Sequence, residues 1–60
     1  MSDIKIGDRV RYITSIEWGP SIGNEGVVQH IHSDGAFSVK LDGEKSSYYT
    51  RRQDVCPIPQ

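Results

Sequence analysis

The segment Gly26–Leu41, Gly-Val-Val-Gln-His-Ile-His-Ser-Asp-Gly-Ala-Phe-Ser-Val-Lys-Leu, constrains the chain more than any other stretch. It reads as two strands joined by a tight turn. Asp34-Gly35 supplies the turn, because Gly accepts positive φ and an Asp side chain bonds readily to its own backbone. After the turn, Phe37, Val39 and Leu41 alternate with Ser38 and Lys40, the period of a strand with one buried face. Before it, the same period places Val27 and Ile31 on one face. A hairpin this explicit makes an all-β domain the expected fold class.

The chain has 60 residues, which is one domain at most, spanning 1–60. A domain of that size buries only ~60% of the surface its unfolded chain exposes, so its core is marginal. The single cysteine, Cys56, excludes an intrachain disulfide and makes a four-ligand structural zinc site an unexpected solution. A closed barrel or weak self-association remains as a source of support. Seven Lys and Arg stand against eight Asp and Glu, so binding driven by charge alone is not expected. No apolar run approaches the ~20 residues of a membrane span, and the start Met-Ser-Asp-Ile-Lys-Ile is too polar for a leader. The expectation is a cytoplasmic protein with no membrane partner.

Taken in order, Met1–Asp3 reads as a frayed start. Ile4 and Ile6 alternate with Lys5 and are expected to cover one end of the core. Gly7-Asp8 is a turn, and Arg9–Ile13 a strand with Val10 and Tyr12 on one face and Arg9 and Arg11 on the other. Thr14–Glu25 holds Trp18, Gly19, Pro20, Gly23 and Asn24, too much punctuation for a regular element. A connection this long in so short a domain is often functional. Trp18 within it either folds back to plug the end of the fold or presents a binding surface. Asp42-Gly43 is a second turn, and Glu44–Thr50 leads into a further strand. Tyr48 and Tyr49 are neighbours there and point to opposite faces, one into the core and one out. Arg51–Asp54 is a single helical turn and Val55–Ile58 a short closing strand, with Pro57 and Pro59 suited only to an edge or an end. The expected core is Ile6, Val10, Tyr12, Val27, Ile31, Phe37, Val39, Leu41 and Val55.

Gly7-Asp8-Arg9-Val10-Arg11, Gly26-Val27-Val28, Asp34-Gly35 with Phe37 and Val39, and Asp54-Val55 before Pro57-Ile58 together resemble the small SH3-like barrels. The pattern looks most like the KOW and Tudor-like branches, and it resembles the Mind-bomb-type repeat of ubiquitin ligases. Small phage and bacterial accessory proteins are built on a similar plan. The resemblance covers most of the chain. It implies a five-stranded SH3-like barrel with a long first loop and a short 3-10 turn before the last strand. It implies a binding role, since such barrels bind RNA, peptides, methylated side chains or whole proteins. The KOW signature has basic residues near its central glycine, whereas Val-Val-Gln-His-Ile-His follows Gly26. Plasmid-encoded type II dihydrofolate reductase is similar in fold and start. Its Val-Gln-Ile-Tyr strand has no counterpart in Ser46-Ser47-Tyr48-Tyr49, so reductase activity is not expected.

Catalytic chemistry has no motif to rest on. There is no Gly-x-Ser-x-Gly, no phosphate-binding glycine loop and no acid pair at a telling spacing. His30 and His32 alternate on one strand face, together with Val28, but two ligands do not make a metal site. Cys56 reads as a small buried hydrophobe. No catalytic residue, metal or cofactor is expected. The lead expectation is a non-enzymatic interaction module, an accessory or inhibitor protein that meets a larger protein partner through Trp18, Tyr48, Tyr49, Arg51 and Arg52. Aromatic and Arg side chains are the types that dominate protein hot spots. The alternative is a KOW- or Tudor-like module engaging RNA or ribosomal surfaces, which requires Arg9, Arg11, Arg51 and Arg52 to converge on one face.

Overall fold

Five short strands and one 3-10 turn make up the fold: β1 Arg9–Tyr12, β2 Glu25–Ile31, β3 Phe37–Leu41, β4 Ser47–Thr50, the turn Arg52–Asp54, and β5 Val55–Pro57. The computed structural model describes residues 4–59, so the frayed start expected at Met1–Asp3 lies outside the described residues. The strands form one antiparallel sheet in the order β4-β3-β2-β1-β5. The all-β expectation holds. The ladder itself is not closed, because β4 and β5 are its two edges.

The sheet is nevertheless curled around its core. Tyr12 on β1 and Thr50 on β4 are separated by two strands in the ladder, yet their hydroxyls hydrogen-bond at 2.5 Å in the buried interior. Thr50 Oγ1 donates onward to the Tyr48 carbonyl at 3.2 Å, so Tyr12 is the donor to Thr50. The radius of gyration, 10.2 Å, is close to the ~10 Å that chain length predicts for a compact domain. A flat sheet of five strands would be more extended.

The core consists of Ile4, Val10, Tyr12, Val28, Phe37, Val39, Leu41 and Val55, with Ile16 and Tyr48 packed against it. Three expected core residues fall elsewhere. Ile6 is 61% exposed, because the reverse turn closed by Asp8 N–H to the Lys5 carbonyl carries it off the face that Ile4 occupies. Val27 pairs with Lys40 and faces outward, half-buried, while Val28 opposite Val39 takes the core position. Ile31 is 38% exposed at the end of β2. The cause in β2 is a bulge. Val28 opposes Val39 and Ile31 opposes Phe37, but His30 opposes Ser38, so Gln29 is an extra residue. One inserted residue inverts the period of two. Val27 and Ile31 therefore do not share a face, and Val28 lies opposite His30 and His32 rather than beside them.

Gly26 explains why β2 begins in the phase it does. It sits buried between Val10 and Leu41. A Cβ there would lie 2.5 Å from the Lys40 carbonyl oxygen and 2.8 Å from Val39 Cγ1. Only glycine admits that approach. At the other end of the hairpin, His32 N–H donates to the Ala36 carbonyl and Gly35 N–H to the His32 carbonyl. Gly35 has φ +89°, the left-handed residue that a three-residue hairpin loop requires.

Candidate functional site

The outer face of the sheet divides into two regions with different chemistry. The first is a charged lattice. Arg11 pairs across β1 and β2 with Glu25, and its Nη2 lies 3.0 Å from Glu25 Oε2. Arg9 bonds Glu25 at 3.2 Å and Asp42 at 2.5 Å. Hydrogen bonds from Arg11 first, and Arg9 second, hold Glu25 below the usual carboxylate range. Arg9 does the same to Asp42. These contacts raise Arg9 in turn, chiefly through its bond to Asp42. Both β1 arginines are therefore already matched by acids.

The second region lies at the tip of the β2–β3 hairpin. His30, Ser38 and Tyr49 form a cross-strand row over β2, β3 and β4. His32 stands beside it. Its ring meets His30 edge-on at 4.9 Å and tilts against Tyr49 at 5.4 Å. His32 Nε2 hydrogen-bonds Ser38 Oγ at 2.8 Å. Tyr49 donates its hydroxyl to Asp34 Oδ2, and Ala36 N–H donates to Asp34 Oδ1 at 3.0 Å. These two bonds, the tyrosine's the larger, hold the Asp34 carboxyl below its ordinary range. Bonding to that carboxylate pushes the Tyr49 phenol up. Beside this cluster, an open groove of about 490 Å³ runs between the turn 34–36 and the segment 51–53, with Tyr49 as a wall. Arg51 and Arg52 line it, and neither forms an ion pair among the described residues.

Trp18 is the other prominent feature. It is 94% exposed, which rules out a plug. The loop that carries it is firmly built. Ile16 N–H donates to the Pro20 carbonyl and Gly19 N–H to the Ile16 carbonyl, and Pro20 is buried while Ile16 packs on the core. Ser15 Oγ and Asn24 Oδ1 accept from Ile22 and Ser21 N–H further along. Trp18 sits at the apex with φ +63°, a conformation that turns ordinarily give to Gly or Asn. A bulky residue there is strained, and the strain brings no burial in return.

Of the five residues expected to meet a partner, Tyr49, Arg51 and Arg52 come together at the groove. Tyr48 does not join them. It faces inward opposite Val39, packs on the core, and donates its hydroxyl to Glu44 at 2.7 Å. Among the described residues, Trp18 is not part of the groove's lining and stands apart on the β1–β2 loop. Arg9 and Arg11 occupy the charged lattice, and Arg51 and Arg52 flank and begin the 3-10 turn. Cys56 is exposed, not buried. It pairs with Arg11 on the outer row because its neighbour Val55 takes the inner one opposite Tyr12. Asp34, Ser38 and Gln53 belong to this region although sequence reasoning passed over them. Only the alternation of Ser38 with Phe37 and Val39 signalled an outward position.

No group of three or more His, Cys, Asp or Glu among the described residues is arranged to hold a metal ion. No helix among them is long and apolar enough to cross a membrane. Comparison of the chain with protein-family models, curated proteins and solved structures finds no match in any of the three.

Proposed function

We propose that this chain is a non-enzymatic protein-interaction module of the SH3-like barrel kind. In this reading it is an accessory protein that meets a larger protein through Trp18 and the groove of Tyr49, Arg51 and Arg52. The exposed Trp18 carries the reading. A large aromatic held in solvent by an anchored loop, in left-handed backbone, contributes nothing to the core and costs conformational energy. Buried against a partner, the same ring supplies the rigid contact area typical of a hot spot. The strand order and the Tyr12–Thr50 bond across the curled sheet support the barrel assignment. The nucleic-acid alternative has less in its favour, since Arg9 and Arg11 are matched by Glu25 and Asp42.

The test is capture with tagged protein from lysate, with and without nuclease, using wild type and Trp18→Ala. A stoichiometric protein partner that survives nuclease and is lost with Trp18→Ala, at an unchanged thermal midpoint, is the expected result. Capture that disappears with nuclease, or a Trp18→Ala chain that still binds its partner at full strength, overturns the reading.

A further inference from the structure

Resting on that interaction reading, we infer that the groove between the 34–36 turn and the 51–53 segment takes an extended peptide through closely spaced Asp or Glu side chains. Four arginines are present, and the fold treats them as two pairs. Arg9 and Arg11 are each ion-paired, Arg9 with Glu25 and Asp42 and Arg11 with Glu25. Arg51 and Arg52 are exposed, consecutive, and without an acid partner among the described residues.

The one carboxylate lining the same groove does not neutralise them. Both Asp34 oxygens are occupied, Oδ2 by the Tyr49 hydroxyl and Oδ1 by the Ala36 amide. Asp34 thereby fixes the turn and the Tyr49 ring rather than pairing with a guanidinium. The fold builds a groove, sets an aromatic wall in it, and leaves two planar guanidinium groups at its margin. Guanidinium matches a carboxylate with two parallel hydrogen bonds, which a compact ammonium cannot do. Tyr49, 59% exposed, offers a face for the peptide between the charged positions.

Two free arginines also set the class of ligand. Nucleic acid tracks a run of cations along its backbone. Here the remaining arginines are matched, and the whole chain carries a net charge of −1. A short acidic stretch needs no extended positive field, so the groove suits discrete carboxylates better than a polyanion.

The experiment is an NMR titration of the intact protein with a short peptide of alternating Glu and Ser, beside its Gln-for-Glu counterpart and oligothymidylate. The expected result is saturable shifts of the Gly35, Ala36, Tyr49 and Gln53 amides and of the Arg51 and Arg52 side-chain NH groups, with the acidic peptide alone. Replacing either arginine by Glu should weaken that binding about tenfold, the scale of a charge-assisted hydrogen bond. Resonances of the core should stay in place, which shows that the variants fold. Shifts centred on Arg9 and Arg11, equal binding of the Gln peptide, tighter saturation by oligothymidylate, or no saturation with the acidic peptide overturns the inference. If a protein partner is still captured in a Trp18-dependent way while the acidic peptide fails, the interaction reading stands and only the acidic class of ligand falls.

Discussion

The buried hydroxyl pair that joins β1 to β4 predicts an asymmetric mutant cycle. Tyr12 is 1% exposed and Thr50 is fully buried. Tyr12 donates to Thr50 Oγ1, and Thr50 donates to the Tyr48 carbonyl. Thr50→Val preserves shape but leaves the Tyr12 hydroxyl buried without an acceptor, which costs about 1–3 kcal/mol. Tyr12→Phe removes the donor but leaves Thr50 bonded to Tyr48, so the cost is about 0.5–1.5 kcal/mol. The double variant has no orphaned hydroxyl, and its cost should fall well short of the sum. A domain of this length has a total stability of roughly 3–9 kcal/mol, so Thr50→Val removes a large share of it. In thermal melts each kcal/mol corresponds to about 4–8 °C for a domain of this size. Urea denaturation followed by far-ultraviolet circular dichroism measures all four corners of the cycle. Equal single costs that add in the double variant would refute the reasoning, because the two hydroxyls would then act independently and the bond would not link the strands.

Gly26→Ala places a Cβ 2.5 Å from the Lys40 carbonyl oxygen and must push β3 away from β2. Loss of about 1–3 kcal/mol is expected by the same denaturation assay. Trp18→Gly relieves the positive φ while forfeiting no burial, so its melting temperature should equal or exceed that of wild type; in the wild type, the single tryptophan should emit as hydrated indole in both the folded and the unfolded chain. Glu25, Asp34 and Asp42 are all held below their ordinary values. Their contribution is thus complete above the unfolded carboxylate range and is lost as pH falls through the lower folded values. Side-chain carboxyl titration by NMR should show the Asp42 value returning towards normal in Arg9→Gln. Tyr12 is raised chiefly by burial, and Tyr48 and Tyr49 by bonds to Glu44 and Asp34. Their stabilisation is present below the ordinary phenol range and is lost as pH rises through the higher folded values. Phenolate absorbance should therefore appear later than in free tyrosine.

Where local chemistry and tertiary demand agree, the sequence was sufficient. Phe37, Val39 and Leu41 alternate strictly and are all buried; Val10 and Tyr12 likewise. Asp34-Gly35 and Asp42-Gly43 mark turns because positive φ at Gly35 and Gly43 is cheap only for glycine. The neighbouring tyrosines separate into an inward Tyr48 and an outward Tyr49, as adjacent strand positions must. β2 resisted because Val27 and Val28 are both apolar, so periodicity alone offers two phases. The choice between them is made by Gly26, whose contact with Lys40 comes from a strand fourteen residues on in the chain. Cys56 misled for a similar reason. Its small apolar side chain says nothing of whether it or Val55 faces Tyr12, and that is fixed by β1–β5 pairing.

The same bulge that defeated the core assignment also builds the candidate site. Were Gln29 paired as an ordinary strand residue, a period of two running on from Val28 would turn His30 and His32 inward and Ile31 outward. With the bulge, His30 is set opposite Ser38 and His32 reaches both Ser38 and the Tyr49 ring. Tyr49 is then held between His32 and Asp34, beside Arg51 and Arg52. Deleting Gln29 should remove the irregularity without inverting either row, because His30 would then follow Val28 directly and still face outward. It would restore strict alternation with Val28 and Ile31 inward and His30 and His32 outward, so the His32–Tyr49 ring contact should persist. A bulge at a sheet's functional end is a usual means of re-aiming side chains. Here it makes the outward polar row and the inward apolar row depend on one backbone irregularity. Core phase and candidate surface thus both depend on the β2 bulge, and its position was not legible until the pairing of β2 with β3 was known.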